Sequence, residues 1–152
     1  MKVYLVRHAL AVDQFVFKGD DERRPLTEKG KTQAQGLVAL LDNIKFRSLL
    51  SSPALRCIET LEPLAKYKGA KIDIQPLLGL SAQPDDTLGY LVTLKHNVVA
   101  CSHGENILGI LEFLFSQKVA GVDKVRARKG SVWLLEIENH TVISATYISP
   151  PY

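Results

Sequence analysis

Lys2-Val3-Tyr4-Leu5-Val6-Arg7-His8-Ala9 is the stretch that decides the fold of this chain. Val3 to Val6 is a short apolar run of β-forming residues, long enough for a buried strand and too short for a helix. The run stops abruptly at an arginine and a histidine, and a charged loop from Ala9 to Arg24 follows. An open α/β sheet binds its ligands outside the carboxyl ends of its strands. Arg7 and His8 therefore stand where chemistry is expected, although alone they suit any polar strand end. Their meaning depends on what the later chain brings to the same edge.

Outward from this strand, Arg24-Pro25-Leu26-Thr27-Glu28-Lys29-Gly30 reads as a helix entry, with Thr27 as N-cap and Glu28 at the positive end of the dipole. Ala34, Leu37, Val38, Leu41 and Ile44 recur at helical spacing and predict an amphipathic helix over Thr27 to Asn43. Phe46 to Ser51 is a second strand. Ser52 fits the N-cap and Pro53 the first position of the next helix, whose stripe is Ala54, Ile58, Leu61 and Ala65 and whose stop is Gly69. Ala70 to Gln75 alternates as a third strand. A loop from Pro76 to Pro84 leads to Asp85-Asp86, a capping pair for a short helix through about Lys95.

Asn97 to Cys101 is a fourth apolar strand that ends in Ser102-His103-Gly104. The helix from Glu105 to Ser116 is apolar nearly all round, which predicts deep burial or a covering partner. Ser131 to Glu138 and Val142 to Ser149 are strands joined by the hairpin signal Glu138-Asn139-His140-Thr141. The expected architecture is α/β: a three-layer α/β/α sandwich with a mainly parallel central sheet and a C-terminal antiparallel hairpin. Residues 1–152 form one domain, without repeats, linkers or low-complexity tracts.

Composition narrows the partners. The 152 residues are 46% hydrophobic and 23% charged with a net charge of +3, an ordinary globular balance that gives no reason for disorder. The dense basic run Lys124-Val125-Arg126-Ala127-Arg128-Lys129 alternates with apolar residues, so a solvated strand face that could flank a pocket is expected, not a nucleic-acid stripe. Cys57 and Cys101 lie far apart in sequence in apolar contexts and read as reduced, buried thiols. No leader and no membrane-length apolar run is visible, so a cytoplasmic protein without a membrane partner is expected.

Two strand ends now present histidines, His8 and His103. Arg7 adjoins the first, and Arg56 falls early in the helix that Ser52 is expected to cap. A helix N-terminus with a hydroxyl and an arginine suits phosphate. Two arginines and two histidines around one anion point to phosphoryl transfer through a histidine nucleophile. Bland readings hold elsewhere: His96 and His140 as solvated turn residues, Trp133 and Tyr147 as core or sheet-face residues. Arg23 and Arg24 are possible ion-pair partners of Asp20 and Asp21, with Arg24 able to border the pocket.

Arg7-His8-Ala9 resembles the Arg-His-Gly signature of the histidine phosphatase superfamily, which also contains the phosphoglycerate mutases. Arg24-Pro25-Leu26-Thr27, Ser51-Ser52-Pro53-Ala54-Leu55-Arg56 with Thr60, and Ser102-His103-Gly104 match its later motifs in order and approximate spacing. The compact size and the Arg-Pro-Leu-Thr run resemble the SixA-type phosphohistidine phosphatases, which lack an inserted helical lid. The resemblance implies that His8 attacks phosphorus, and that Arg7, Arg56 and His103 bind and stabilise the phosphoryl oxygens. Arg24 and Ser52 join them as substrate-binding candidates. It implies no metal and no cofactor. The implied substrate is a phosphorylated protein, such as a histidine phosphotransfer domain, or a small phosphorylated molecule.

Two departures stand out. Ala9 replaces the glycine, and no carboxylate occurs from Ile74 to Pro84, where many members carry a proton-donating glutamate. Asp13, Asp20, Asp21, Asp85, Asp86 and Glu105 are the possible substitutes. A missing acid fits phosphohistidine, whose leaving group needs little help. The alternatives are a small-molecule phosphomonoesterase of the same superfamily and a non-catalytic phosphate-binding or scaffold module. A lidless site argues against a mutase, because water would intercept the phosphoenzyme.

Overall fold

A computed structural model describes residues 1–151. The elements in chain order are β1 (Lys2–Arg7), α1 (Glu28–Leu40), β2 (Ser48–Ser51), α2 (Leu55–Lys68), β3 (Ile72–Ile74), α3 (Pro84–Leu91), β4 (Val98–Ser102), α4 (Gly104–Ser116), β5 (Val132–Glu138) and β6 (Thr141–Ile148). The sheet has six strands in the order β3-β2-β4-β1-β5-β6. β1 to β4 are parallel neighbours, while β5 runs antiparallel to both β1 and β6.

Successive residues of a strand point to opposite faces, and β1 is buried on both. Val3 and Leu5 join a core with Ile107, Ile110 and Leu111 of α4, whereas Tyr4 and Val6 join one with Leu37 of α1 and Leu61 and Leu64 of α2. The helices therefore cover the sheet on both sides, the expected three layers. Between β3 and β4 stand a single 3-10 turn at Pro76–Leu78 and the eight-residue α3, with no lid inserted.

Local chemistry accounts for most element ends. The Thr27 side chain accepts the Gly30 N–H and caps α1, a bond worth about 1 kcal/mol. Gly69 closes α2 in the left-handed region at φ 63°, a conformation that costs glycine nothing. Asn139 and His140 both take positive φ, the two-residue turn that suits the twist of a β-hairpin.

Three expectations need correction. Ser52 does not cap α2: the cap position is Ala54 without a side-chain bond of its own, and the Ser52 hydroxyl accepts the Ala54 amide ahead of the helix while it pairs with His103. Asp85 and Asp86 do not cap α3; Gln83 holds that position, and Pro84 starts the helix. The basic run is not a strand. Two of its backbone carbonyls are taken by side chains, Arg126 O by the Trp133 indole and Ala127 O by Arg7, so they are not free for a ladder. The α4 helix is also less covered than its composition suggests, with Phe113 and Phe115 about half exposed.

Candidate active site

Strand register builds the site. Arg7 is paired with Ser102 across the parallel β1–β4 ladder, so the next residues, His8 and His103, leave the sheet side by side. The His8 amide donates to Ser102 O at 3.1 Å, continuing the pairing one residue past the strand. The two imidazole centroids stand 5.5 Å apart, edge to face. β2 flanks β4 on its other side and brings Ser52 and the start of α2 to the same edge. Arg7, His8, Arg56 and His103 all line one cleft of about 780 Å³.

His8 is 6% exposed. Its Nδ1 lies 2.8 Å from the Ala9 carbonyl, which can only accept. The ring proton therefore sits on Nδ1, and Nε2 keeps its lone pair as a candidate nucleophile. Burial pulls its pKa down to about 3, and the neighbouring His103, Arg56 and Arg7 reinforce the lowering against the bond to Ala9. The imidazole is neutral across the physiological range.

That shift carries a stability consequence. The unfolded chain protonates His8 near pH 6.5, while the folded chain resists until about pH 3. Folding is thus favoured by neutral His8 above pH 6.5, and the advantage drains as pH falls through that window, at up to about 1.4 kcal/mol per unit. Urea midpoints measured from pH 7 to 4.5 are expected to drop in the wild type and to flatten in His8→Gln. Equal slopes in both proteins would contradict the assignment.

His103 is held from both nitrogens. Its Nε2 lies 2.8 Å from Ser52 Oγ, and its Nδ1 lies 3.4 Å from Arg56 Nη2. A guanidinium only donates, so Nδ1 accepts and Nε2–H donates to Ser52. Ser52, 1% exposed, stands behind His103, away from the wall of the cleft. Cys57 Sγ approaches the same Nε2 at 3.8 Å. Cys57 and Cys101 are free and buried, and their thiols meet in space despite their separation in sequence.

Arg56, 2% exposed, donates from Nη1 to Asp21 O at 2.9 Å and from Nη2 to the Asp21 carboxylate at 3.1 Å. Arg24 Nε meets the other carboxylate oxygen at 3.0 Å, and its Nη1 meets Val12 O at 2.7 Å. Arg24 therefore borders the cleft with these donors already engaged. Partial burial works to raise the Asp21 pKa, but bonds and charge from Arg24 and Arg56 outweigh it and hold the carboxyl below its ordinary value. Arg7 donates to Ala127 O, and its guanidinium lies against the start of α4. A Cβ at Gly104 would come within 2.6 Å of Arg7 Cζ, so a larger residue here would push the guanidinium out of its place.

Arg7 Nε and Arg56 Nε are buried without a hydrogen-bond partner. Buried orphan donors are costly, and two beside His8 can be satisfied by an anion in the cleft. The α4 N-terminus, with His103 as its cap residue, adds its positive dipole end. Among the described residues, no cluster of three His, Cys, Asp or Glu side chains is arranged to hold a metal ion. His96 and His140 are exposed outside the cleft.

The position after β3, where a proton donor was sought, holds Leu80 on the cleft wall. Of the substitute carboxylates, Asp13, Asp21 and Glu105 line the cleft, whereas Asp85 and Asp86 do not. The role of Asp21 was missed for lack of a signal: its i,i+3 spacing to Arg24 is legible, but its bond to Arg56 spans 35 residues.

The sequence model for the histidine phosphatase superfamily (branch 1) matches residues 3–79, half of the chain. The chain belongs to the histidine phosphatase superfamily. The 8-oxo-(d)GTP phosphatase of Mycolicibacterium smegmatis is 34% identical over 155 residues, covering 98% of this chain and 48% of that protein. The chain spans about half the length of the curated relatives it matches. The protein histidine phosphatase SixA complexed with tungstate shares the fold at a TM-score of 0.76 and 21% identity, over 99% of this chain and 97% of that one. The alpha-ribazole phosphatase of Shigella flexneri superposes at 0.65 with 17% identity, over 100% and 96% of the two chains. This superfamily member therefore has the SixA-type phosphoglycerate mutase-like fold. No helix among its described residues is long and apolar enough to cross a membrane.

Proposed function

We propose that the chain is a metal-independent phosphatase that dephosphorylates phosphohistidine in a protein, such as a histidine phosphotransfer domain, through its own phosphohistidine on His8. The carrying observation is a cleft lined by Arg7, Arg24, Arg56 and Lys129 whose three carboxylates are each engaged by a neighbouring group. Asp21 is held ionised between two arginines, and Asp13 accepts the Phe15 amide at 2.7 Å within its own turn. Glu105 sits in the first turn of α4, where its charge faces Arg7.

The His8 Nε2 lone pair forms a bond to phosphorus as the phosphorus–nitrogen bond of the substrate breaks. Arg7 and Arg56 hold the phosphoryl oxygens and supply charge through the transition state, and His103 joins them by turning its Nε2–H from Ser52 toward the phosphoryl group. The substrate imidazole, protonated on its far nitrogen, leaves neutral. Water then attacks the phosphoenzyme, releasing phosphate and restoring His8. Free, buried Cys57 and Cys101 suit a reducing compartment, in keeping with the cytoplasm as the proposed location.

A second reading is favoured by one observation, the similarity over nearly the whole chain to a phosphatase named for 8-oxo-(d)GTP. A phosphoanhydride also leaves without a proton donor, so the same site would serve a nucleotide.

A leaving-group series tests both. A positioned acid typically contributes about 100- to 10,000-fold. In buffer containing a chelator, kcat/KM is expected to fall steeply as leaving-group pKa rises from aryl to alkyl phosphates. Phosphoramidate and a phosphohistidine protein are expected to exceed sugar phosphates by a similar factor. Faster turnover of 8-oxo-dGTP than of the phosphohistidine protein would favour the nucleotide reading. Equal rates for aryl and alkyl esters, with a basic limb in the pH profile, would reveal an acid, to be sought at Asp13, Asp21 and Glu105.

A further inference from the structure

The mouth of the cleft carries apolar side chains that the chemistry does not use. Phe15 is 88% exposed, Val16 71% and Leu80 50%, the most exposed large hydrophobic residues close to the site. Phe15 and Leu80 line the cleft from two sides, one from the loop after β1 and the other from the segment after β3. The turn that presents Phe15 is built: Asp13 accepts the Phe15 amide through its side chain and the Val16 and Phe17 amides through its carbonyl. Exposed apolar groups clustered at one place mark interaction surfaces.

The surroundings limit what can occupy this rim. Lys129 also lines the cleft, with exposed Arg128 beside it and exposed Lys18 on the Phe15 loop. Val16 adjoins Phe15 but lies outside the cleft lining. A broad surface pressed against the mouth would touch all three apolar residues. Its histidine would enter the cleft while its acidic groups met the lysines and arginine.

We infer that Phe15, Val16 and Leu80 form a docking rim for the substrate protein, contacting apolar side chains around the phosphohistidine within an acidic border. This deepens the proposed phosphohistidine activity and rests on it. An exposed aromatic anchor of this kind is the residue type that dominates interface energetics.

The test compares a phosphorylated histidine phosphotransfer domain with free phosphohistidine, using wild type, Phe15→Ser, Val16→Ser and the double variant. The expected result is a loss of about tenfold or more in kcat/KM for the domain with the double variant, with free phosphohistidine changed less than twofold. Activity of the wild type on the domain is expected to decline with added salt. Wild-type turnover of the domain with no loss in the double variant would overturn the rim and leave the activity standing. No wild-type turnover of the domain would overturn both. Equal losses on both substrates would place Phe15 in the chemistry, and a loss confined to 8-oxo-dGTP would assign the rim to a nucleobase; either result would overturn docking.

Discussion

Alanine at position 8 is expected to abolish turnover, with a loss on the order of 10⁴-fold or more, as removal of a covalent nucleophile typically gives. The expectation rests on the free lone pair of Nε2, fixed by the 2.8 Å contact of Nδ1 with the Ala9 carbonyl. A neutral imidazole with its pKa near 3 needs no base to expose that lone pair. Acid-free quenching of turnover with labelled substrate should leave phosphate on His8 of the wild type, labile to acid and stable to alkali. The alanine variant should carry none. Undiminished turnover in that variant would remove His8 from the reaction.

Loss of the Arg56 guanidinium should be the next largest effect. Arg56→Ala is expected to lower kcat/KM by about 100- to 1000-fold, the range seen when a donor to developing phosphoryl or oxyanion charge is deleted. Arg56→Lys should restore part of it, because an ammonium supplies the charge without the planar fork. Asp21 keeps Arg24 as a partner at 3.0 Å in both variants, so the loop should remain ordered and the circular dichroism unchanged. A wild-type kcat/KM for the alanine variant would place phosphate recognition elsewhere in the cleft.

Features set by neighbours in sequence were legible, and those set by distant partners were not. The apolar run ending at Arg7-His8 located β1, and the same pattern before Ser102-His103 located β4. Their adjacency in the sheet then brings the histidines together. Thr27, Gly69 and the Asn139-His140 turn act within a few residues, and each has the expected conformation. Ser52 misled because α2 starts two residues later than its local preference implies, while its hydroxyl accepts the Ala54 amide and meets a histidine 51 residues later. The basic run misled because alternation resembles a strand even where the Trp133 indole seven residues on and the distant Arg7 claim two of its backbone carbonyls. Side-chain periodicity reports which face is buried; it carries no information about which distant donor needs an acceptor.

The carboxylate of Asp21 also bears on how the cycle ends. In the proposed reaction inorganic phosphate is the product, and the two guanidiniums that stabilise the transition state would also slow its departure. Asp21 contributes an opposing charge 3.1 Å from Arg56, and the charge of Glu105 acts on Arg7. In the proposed cycle that opposing charge would weaken the grip of the cleft on phosphate and shorten the residence of the product.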